Sequence, residues 1–165
     1  MSLNLKPVFN ITLNLEEPKT VATNSAGVHN IASIKSGTTK SFSEDFPFNS
    51  TVYGGRDDIT VSPKGSHFNL DCKVFGTLED GTGYFIKYYG VVRLDKAVTD
   101  VIGKQSKEHA FEDGYLVNQI FVTLDKDSDK KYDWIEKHVL VGRGRFFRND
   151  DGALNIEYNV SAVTE

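Results

Sequence analysis

The dominant pattern along the chain is alternation of apolar and polar positions with a period of two, the spacing of a strand with one buried face. Phe9, Ile11, Leu13 and Leu15 share one face, with Asn10, Thr12 and Asn14 opposite. Phe68, Leu70, Cys72 and Val74 alternate with His67, Asn69, Asp71 and Lys73. Near the end, Leu154, Ile156, Tyr158 and Val160 alternate with Asn155, Glu157 and Asn159. Half-apolar strands of this kind belong to antiparallel sheets, because strands of parallel sheets are covered on both faces and read as continuous apolar runs.

Turn residues separate the runs. Ser62-Pro-Lys-Gly65, Glu79-Asp-Gly-Thr-Gly83 and Asn149-Asp-Asp-Gly152 carry the Gly, Pro and Asx chemistry of tight connections. The pattern predicts about nine strands, near 7–15, 28–36, 46–53, 58–61, 66–78, 84–94, 114–124, 138–148 and 153–163. One helix is predicted over 95–104: Asp95 can cap it, Val98 and Ile102 lie one turn apart, and Gly103 can end it. A further helical turn fits 132–137. A meandering sheet of this length buries its apolar face and hides its edges by closing on itself. The expected fold is therefore all-β: a single closed antiparallel β-barrel of about 8–10 strands with one short helix. Two stacked sheets are the competing arrangement. No linker or repeat interrupts residues 1–165, which read as one domain.

Composition narrows the function classes. The net charge is −4, with no long basic stretch, which argues against nucleic-acid binding through phosphate neutralisation. No apolar run approaches the roughly 20 residues of a membrane-spanning helix, so no membrane partner is expected. Cys72 is the single cysteine, which excludes an internal disulfide and a cysteine metal site. The opening Met1-Ser-Leu-Asn-Leu-Lys lacks a signal-peptide pattern, so a soluble cytoplasmic protein is expected. Had a secretion signal been removed, the sequons at Asn10, Asn49 and Asn159 would become relevant.

Several spaced motifs together resemble the bacterial and fungal barrel proteins grouped as domain of unknown function 3237. They are Leu5-Lys-Pro-Val-Phe9 before an alternating strand, Gly27, Tyr53-Gly-Gly-Arg-Asp57, Leu70-Asp71, and Glu79-Asp-Gly81 through Tyr88-Tyr-Gly90. Tyr132-Asp-Trp134-Ile and Val141-Gly-Arg-Gly144 complete the set. The chain departs from the family pattern at Ser36-Gly37, at Glu136, and in lacking an Arg near position 116. The resemblance implies a barrel with a central cavity and no established activity.

Asp57 and Asp71 are the candidate catalytic residues. Asp57 follows two glycines, where the backbone can curl at a barrel mouth. Asp71 is mid-strand on the face of His67, Asn69 and Lys73; if that face lines a cavity, burial would raise its pKa and suit it to proton transfer. Either acid can equally be structural, Asp57 in a turn and Asp71 on a solvated wall. The ligand-binding candidates are Asp57, Asp71, Tyr88, Trp134 and Arg143. Tyr88 and Trp134 belong to an aromatic set, with Tyr84, Tyr89, Tyr115 and Phe121, that can wall a pocket or simply fill the core. Arg143 and Arg145 flank Gly144 and can fork onto a carboxylate.

No metal site is expected. The acids at 125, 127, 129, 133 and 136 follow a calcium-loop spacing, but Lys130 stands where the sharp turn wants Gly. The four His are scattered and no nucleophile or phosphate-loop motif occurs. The expectation is a barrel that binds a small, partly apolar molecule in its lumen without a cofactor. Cofactor-free acid–base catalysis in the same cavity is the alternative, and a filled structural barrel a third. A homo-oligomer is compatible with each.

Overall fold

Nine strands and one short α-helix follow one another in the computed structural model, which describes residues 2–165. The strands are β1 (Asn4–Leu15), β2 (Lys19–Asn24), β3 (Gly27–Ser41), β4 (Ser50–Val61), β5 (His67–Leu78), β6 (Gly83–Arg93), β7 (Leu116–Leu124), β8 (Leu140–Arg148) and β9 (Leu154–Thr164). The helix α1 (Lys96–Ile102) lies between β6 and β7. From β3 to β9 each strand pairs antiparallel with the next. β9 then pairs with β1, and β1 pairs with the second half of β3, from Phe9↔Ser41 to Leu15↔Ile34. The ring is thus closed, as expected, by eight strands, and stacked sheets are excluded. β2 is additional: it pairs only with the first half of β3 and lies outside the ring.

Two segments differ from the sequence expectation. The runs expected at 46–53 and 58–61 join in one strand, β4, which starts at Ser50, because the chain forms a β-bulge at Tyr53-Gly54 and not a turn. β2 was not anticipated; all six of its residues are exposed, so it has no buried face to produce alternation. The three turns at 62–65, 79–83 and 149–152 form where expected, with Gly65 and Gly152 N–H groups donating to Ser62 O and Asn149 O.

The inward positions are largely apolar and fully buried: Phe9, Ile11 and Leu13 from β1, Val74 from β5, Ile86 from β6, Ile156 and Val160 from β9. Burying each such side chain contributes about 1.5–3 kcal/mol relative to exposure. Larger side chains fit because glycines face them across the ladder. A Cβ on Gly144 would lie 2.5 Å from the Tyr158 ring, and one on Gly142 would lie 2.2 Å from Asn118 Oδ1.

The two barrel ends are closed differently. At the end where β1 begins, the loop after β3 and the 3₁₀ turns Lys130–Tyr132 and Ile135–Lys137 supply an aromatic plug. Phe9 packs on Phe48 at 4.8 Å between ring centroids, Phe48 on Tyr84 at 5.0 Å, and Phe46 edge-on to Trp134 at 5.1 Å. Polar atoms there have partners. Tyr84 OH bonds Ser50 Oγ at 2.7 Å, Ser50 Oγ bonds Thr39 Oγ1 at 2.6 Å, and Trp134 Nε1–H donates to Pro47 O. At the opposite end the cover is α1, whose Val98 and Val101 are fully buried.

Candidate functional site

The bulge at Gly54 reverses the facing of β4: Ser50 and Val52 point inward before it, and Asp57 and Ile59 after it. Asp57 thereby enters the lumen, only 4 % exposed. Its ladder neighbour Cys72 and the next, Tyr88, also face inward and are fully buried. Tyr158 meets Tyr88 edge-on, with 5.4 Å between ring centroids. Asp57 Oδ1, Tyr88 OH and Tyr158 OH are buried without a hydrogen-bond partner. Both amide atoms of buried Asn118 are likewise unpartnered. Native interiors rarely leave such groups unsatisfied, which makes this cluster the candidate site.

Beside Asp57 lies a cavity of about 100 Å³. Ile59, Phe68 and Leu70 wall one side, and Leu15, Phe146 and Leu154 the other. Pro18, just before β2, and Ile102, at the end of α1, also line it. Asp57 and Asn30 are its polar lining residues.

Burial in this apolar setting pushes the Asp57 carboxyl up to about 8, reinforced by the nearby Asp58 and Asp71 charges. Burial likewise raises Cys72, Tyr88 and Tyr158 well above their ordinary values. At neutral pH the group is therefore a set of uncharged donors: one carboxylic acid, two phenols and a thiol. Such a set suits an acceptor oxygen or a site of proton transfer and disfavours no neutral ligand.

The other sequence candidates are dispersed. Asp71 is exposed on the outer wall of β5, opposite Asp58, so the face it shares with Asn69 and Lys73 does not line the lumen. Arg143 is exposed on the outside of β8. Arg145 is held by Glu157 at 2.8 Å, on the same wall. Trp134 belongs to the plug, with its indole N–H already used. Of the five ligand-binding candidates, the structure brings Asp57 and Tyr88 together. In the acidic loop, Asp125 and Asp129 accept backbone N–H groups of Asp127 and Lys131. Among the described residues no three candidate metal ligands converge there or elsewhere. Among the described residues, too, no helix is long and apolar enough to cross a membrane.

Sequence reasoning missed Tyr158, Asn118 and Arg148. Tyr158 was visible within an apolar stripe, but its unpaired hydroxyl was not. Arg148 continues the inward parity of Gly142, Gly144 and Phe146, and an arginine at such a position was a usable signal.

A closed eight-stranded barrel, plugged at one end and holding a buried acid under a helical cover at the other, is the class of protein these features define. Its sequence matches the family described as Protein of unknown function (DUF3237) over residues 3–163, and the chain belongs to that family. Solved structures with the same fold include a conserved protein of unknown function from Rhodopseudomonas palustris, 19% identical, TM-score 0.79, covering 99% of both chains. A protein of unknown function from Clostridium acetobutylicum is 20% identical, TM-score 0.75, again covering 99% of both. A structure described as an enzyme from Penicillium herquei is 17% identical, TM-score 0.59, covering 98% of this chain and 96% of that one. No curated protein matches the sequence.

Proposed function

We propose that the α1 end of the barrel is a small-molecule site in which Asp57 acts as a general acid, giving cofactor-free acid–base chemistry on a small, uncharged, largely apolar compound. One observation carries this reading: a buried carboxyl beside a cavity, with an oxygen that no protein group satisfies. A structural carboxyl at such a depth would be consumed by backbone donors or a cation. Its pKa of about 8 holds the transferable proton in place at neutral pH, near the optimum for donation. The structure described as an enzyme from Penicillium herquei shares the barrel fold, which supports catalysis on this scaffold and does not supply the reaction. The apolar walls favour a neutral ligand, with Asp57 and Asn30 as the polar groups that face it; the unpartnered phenols of Tyr88 and Tyr158 are buried near Asp57 but do not line the cavity.

Infrared difference spectroscopy tests the acid directly. The wild-type protein should show a carboxylic-acid C=O band that persists to about pH 8 and is absent from Asp57→Asn. No such band at neutral pH would end the reading. Native mass spectrometry of protein taken from its own host identifies a retained compound. Turnover of that compound by wild type and not by Asp57→Asn is the result expected of an enzyme. Retention without turnover would leave a binding barrel in its place.

A further inference from the structure

A cavity of about 100 Å³ holds only a few heavy atoms, roughly the space of three waters. Anything larger reaches Asp57 only if part of its enclosure moves. The wall strands are tied by ladder hydrogen bonds on both sides and cannot yield cheaply, except at the end of β8, where Phe146 to Arg148 pair with β9 on one side and are held on the other by single bonds from residues 107–109. The remaining lining residues are Pro18 and Ile102, which sit outside the ring.

Both are held by one side chain. Arg148, at the end of the inward stripe of β8, turns its guanidinium across the barrel mouth, where it is buried. All five of its N–H donors are used. Nε donates to Val101 O at 2.9 Å, and Nη2 to Ile102 O at 2.8 Å. Nη1 donates to Glu17 Oε1 at 2.5 Å and to Gly152 O at 2.9 Å, and Nη2 also reaches Glu17 Oε2 at 3.4 Å. Both carbonyls lie in the last turn of α1, where a helix leaves its C=O groups without intrahelical partners; Val101 O also accepts the Lys104 N–H at 3.2 Å. Glu17 directly precedes Pro18. At its other end α1 has no comparable fastening, since Asp95 stands at the cap position but its side chain makes no capping bond.

We infer that Arg148 and Glu17 form a clasp that holds α1 and Pro18 down as a roof over Asp57, and that releasing this clasp admits ligand to the lumen. Arg148 is thus a positioning residue for the site, not a group that touches the reacting atoms. Its fork is shielded, whereas the Glu17 carboxylate is about half exposed, with Lys104 4.0 Å away. Water and salt compete for that leg of the clasp, which makes it the part that lets go first. The inference concerns passage into the barrel and stands whether or not Asp57 transfers a proton.

Cys72 makes the test direct. It is the single thiol, fully buried, paired in register with Asp57, and next along its stripe to the cavity-lining Leu70. Its reaction with 4,4′-dithiodipyridine reports opening of the lumen, and deuterium uptake over residues 96–102 reports release of α1. Arg148→Lys keeps the charge and loses the fork; Glu17→Gln is a half-exposed change that leaves the barrel intact. With urea midpoints measured on the same samples, Arg148→Lys should label about tenfold faster or more. Glu17→Gln should label about threefold faster. In both, faster exchange should be confined to 96–102 and the residues beside Pro18. Unchanged labelling and exchange would overturn the clasp. So would an acceleration spread evenly over β4 to β6 and matched to a lower urea midpoint. If Arg148→Lys does not fold, Glu17→Gln decides alone. Neither measurement needs a substrate, so failure here is separate from failure of the acid assignment.

Discussion

Asp57 and Asp71 show how much a single residue's facing decides. Both are strand carboxylates, and they differ only in which side of the wall they occupy. Alternation in the sequence separates two faces without saying which is inside, and the bulge at Gly54 swaps them partway along β4. Asp57 was legible as a candidate because two glycines precede it. Its depth was not, because a bulge and a turn read alike in sequence. The buried carboxyl has a consequence for pH. Burial raises Asp57 from 3.8 to about 8, so the folded chain keeps a proton that the unfolded chain releases between those values. Stability on this account is highest below about pH 4, falls through the window by on the order of 5 kcal/mol and levels off above about pH 8. Asp57→Asn should remove that slope, matching wild type at about pH 4 and exceeding it by a margin that widens to about pH 8 in urea denaturation. At Gly144 the expected change is steric. Gly144→Ala drives a methyl into the Tyr158 ring, which is itself fixed against Tyr88. A loss of about 1–3 kcal/mol should appear in the urea midpoint.

Elements with a buried face were readable and those without one were not. β1, β5 and β9 follow their predicted alternation, and α1 falls within 95–104. β2 could not be found this way, since it contributes hydrogen bonds and no packing stripe. The short 3₁₀ turns around Trp134 were anticipated as helix over 132–137, but their role was not, because the rings they meet come from segments far away in sequence. Phe9 and Phe46 both pack on Trp134, at 6.2 and 5.1 Å. Trp134→Ala should therefore cost about 3–5 kcal/mol in a urea titration. It should leave deuterium uptake over α1 unchanged, because the plug and the roof occupy opposite ends. Faster uptake in α1 would show that the two ends communicate.

At the scale of the molecule, closure was inferred from the need to hide sheet edges, and the ring bears this out. The strand order is an uninterrupted meander whose final step joins β9 to β1 and β1 to β3. What no pattern could provide is how far the interior is filled, since that depends on side chains meeting across the lumen from strands far apart in sequence. Closure through β1 also sets Asn4 opposite Thr164. A permuted chain that joins these ends by a short linker and opens at Asp80-Gly81 should fold to the same barrel, as judged by near-ultraviolet circular dichroism and an unchanged urea slope. Because the aromatic plug seals the far end, the proposed roof leaves the chamber one doorway. On that proposal, whatever enters must leave along the path by which it arrived, and until it does no second molecule can follow. Two compounds that fit the chamber should therefore exclude one another at a single threshold.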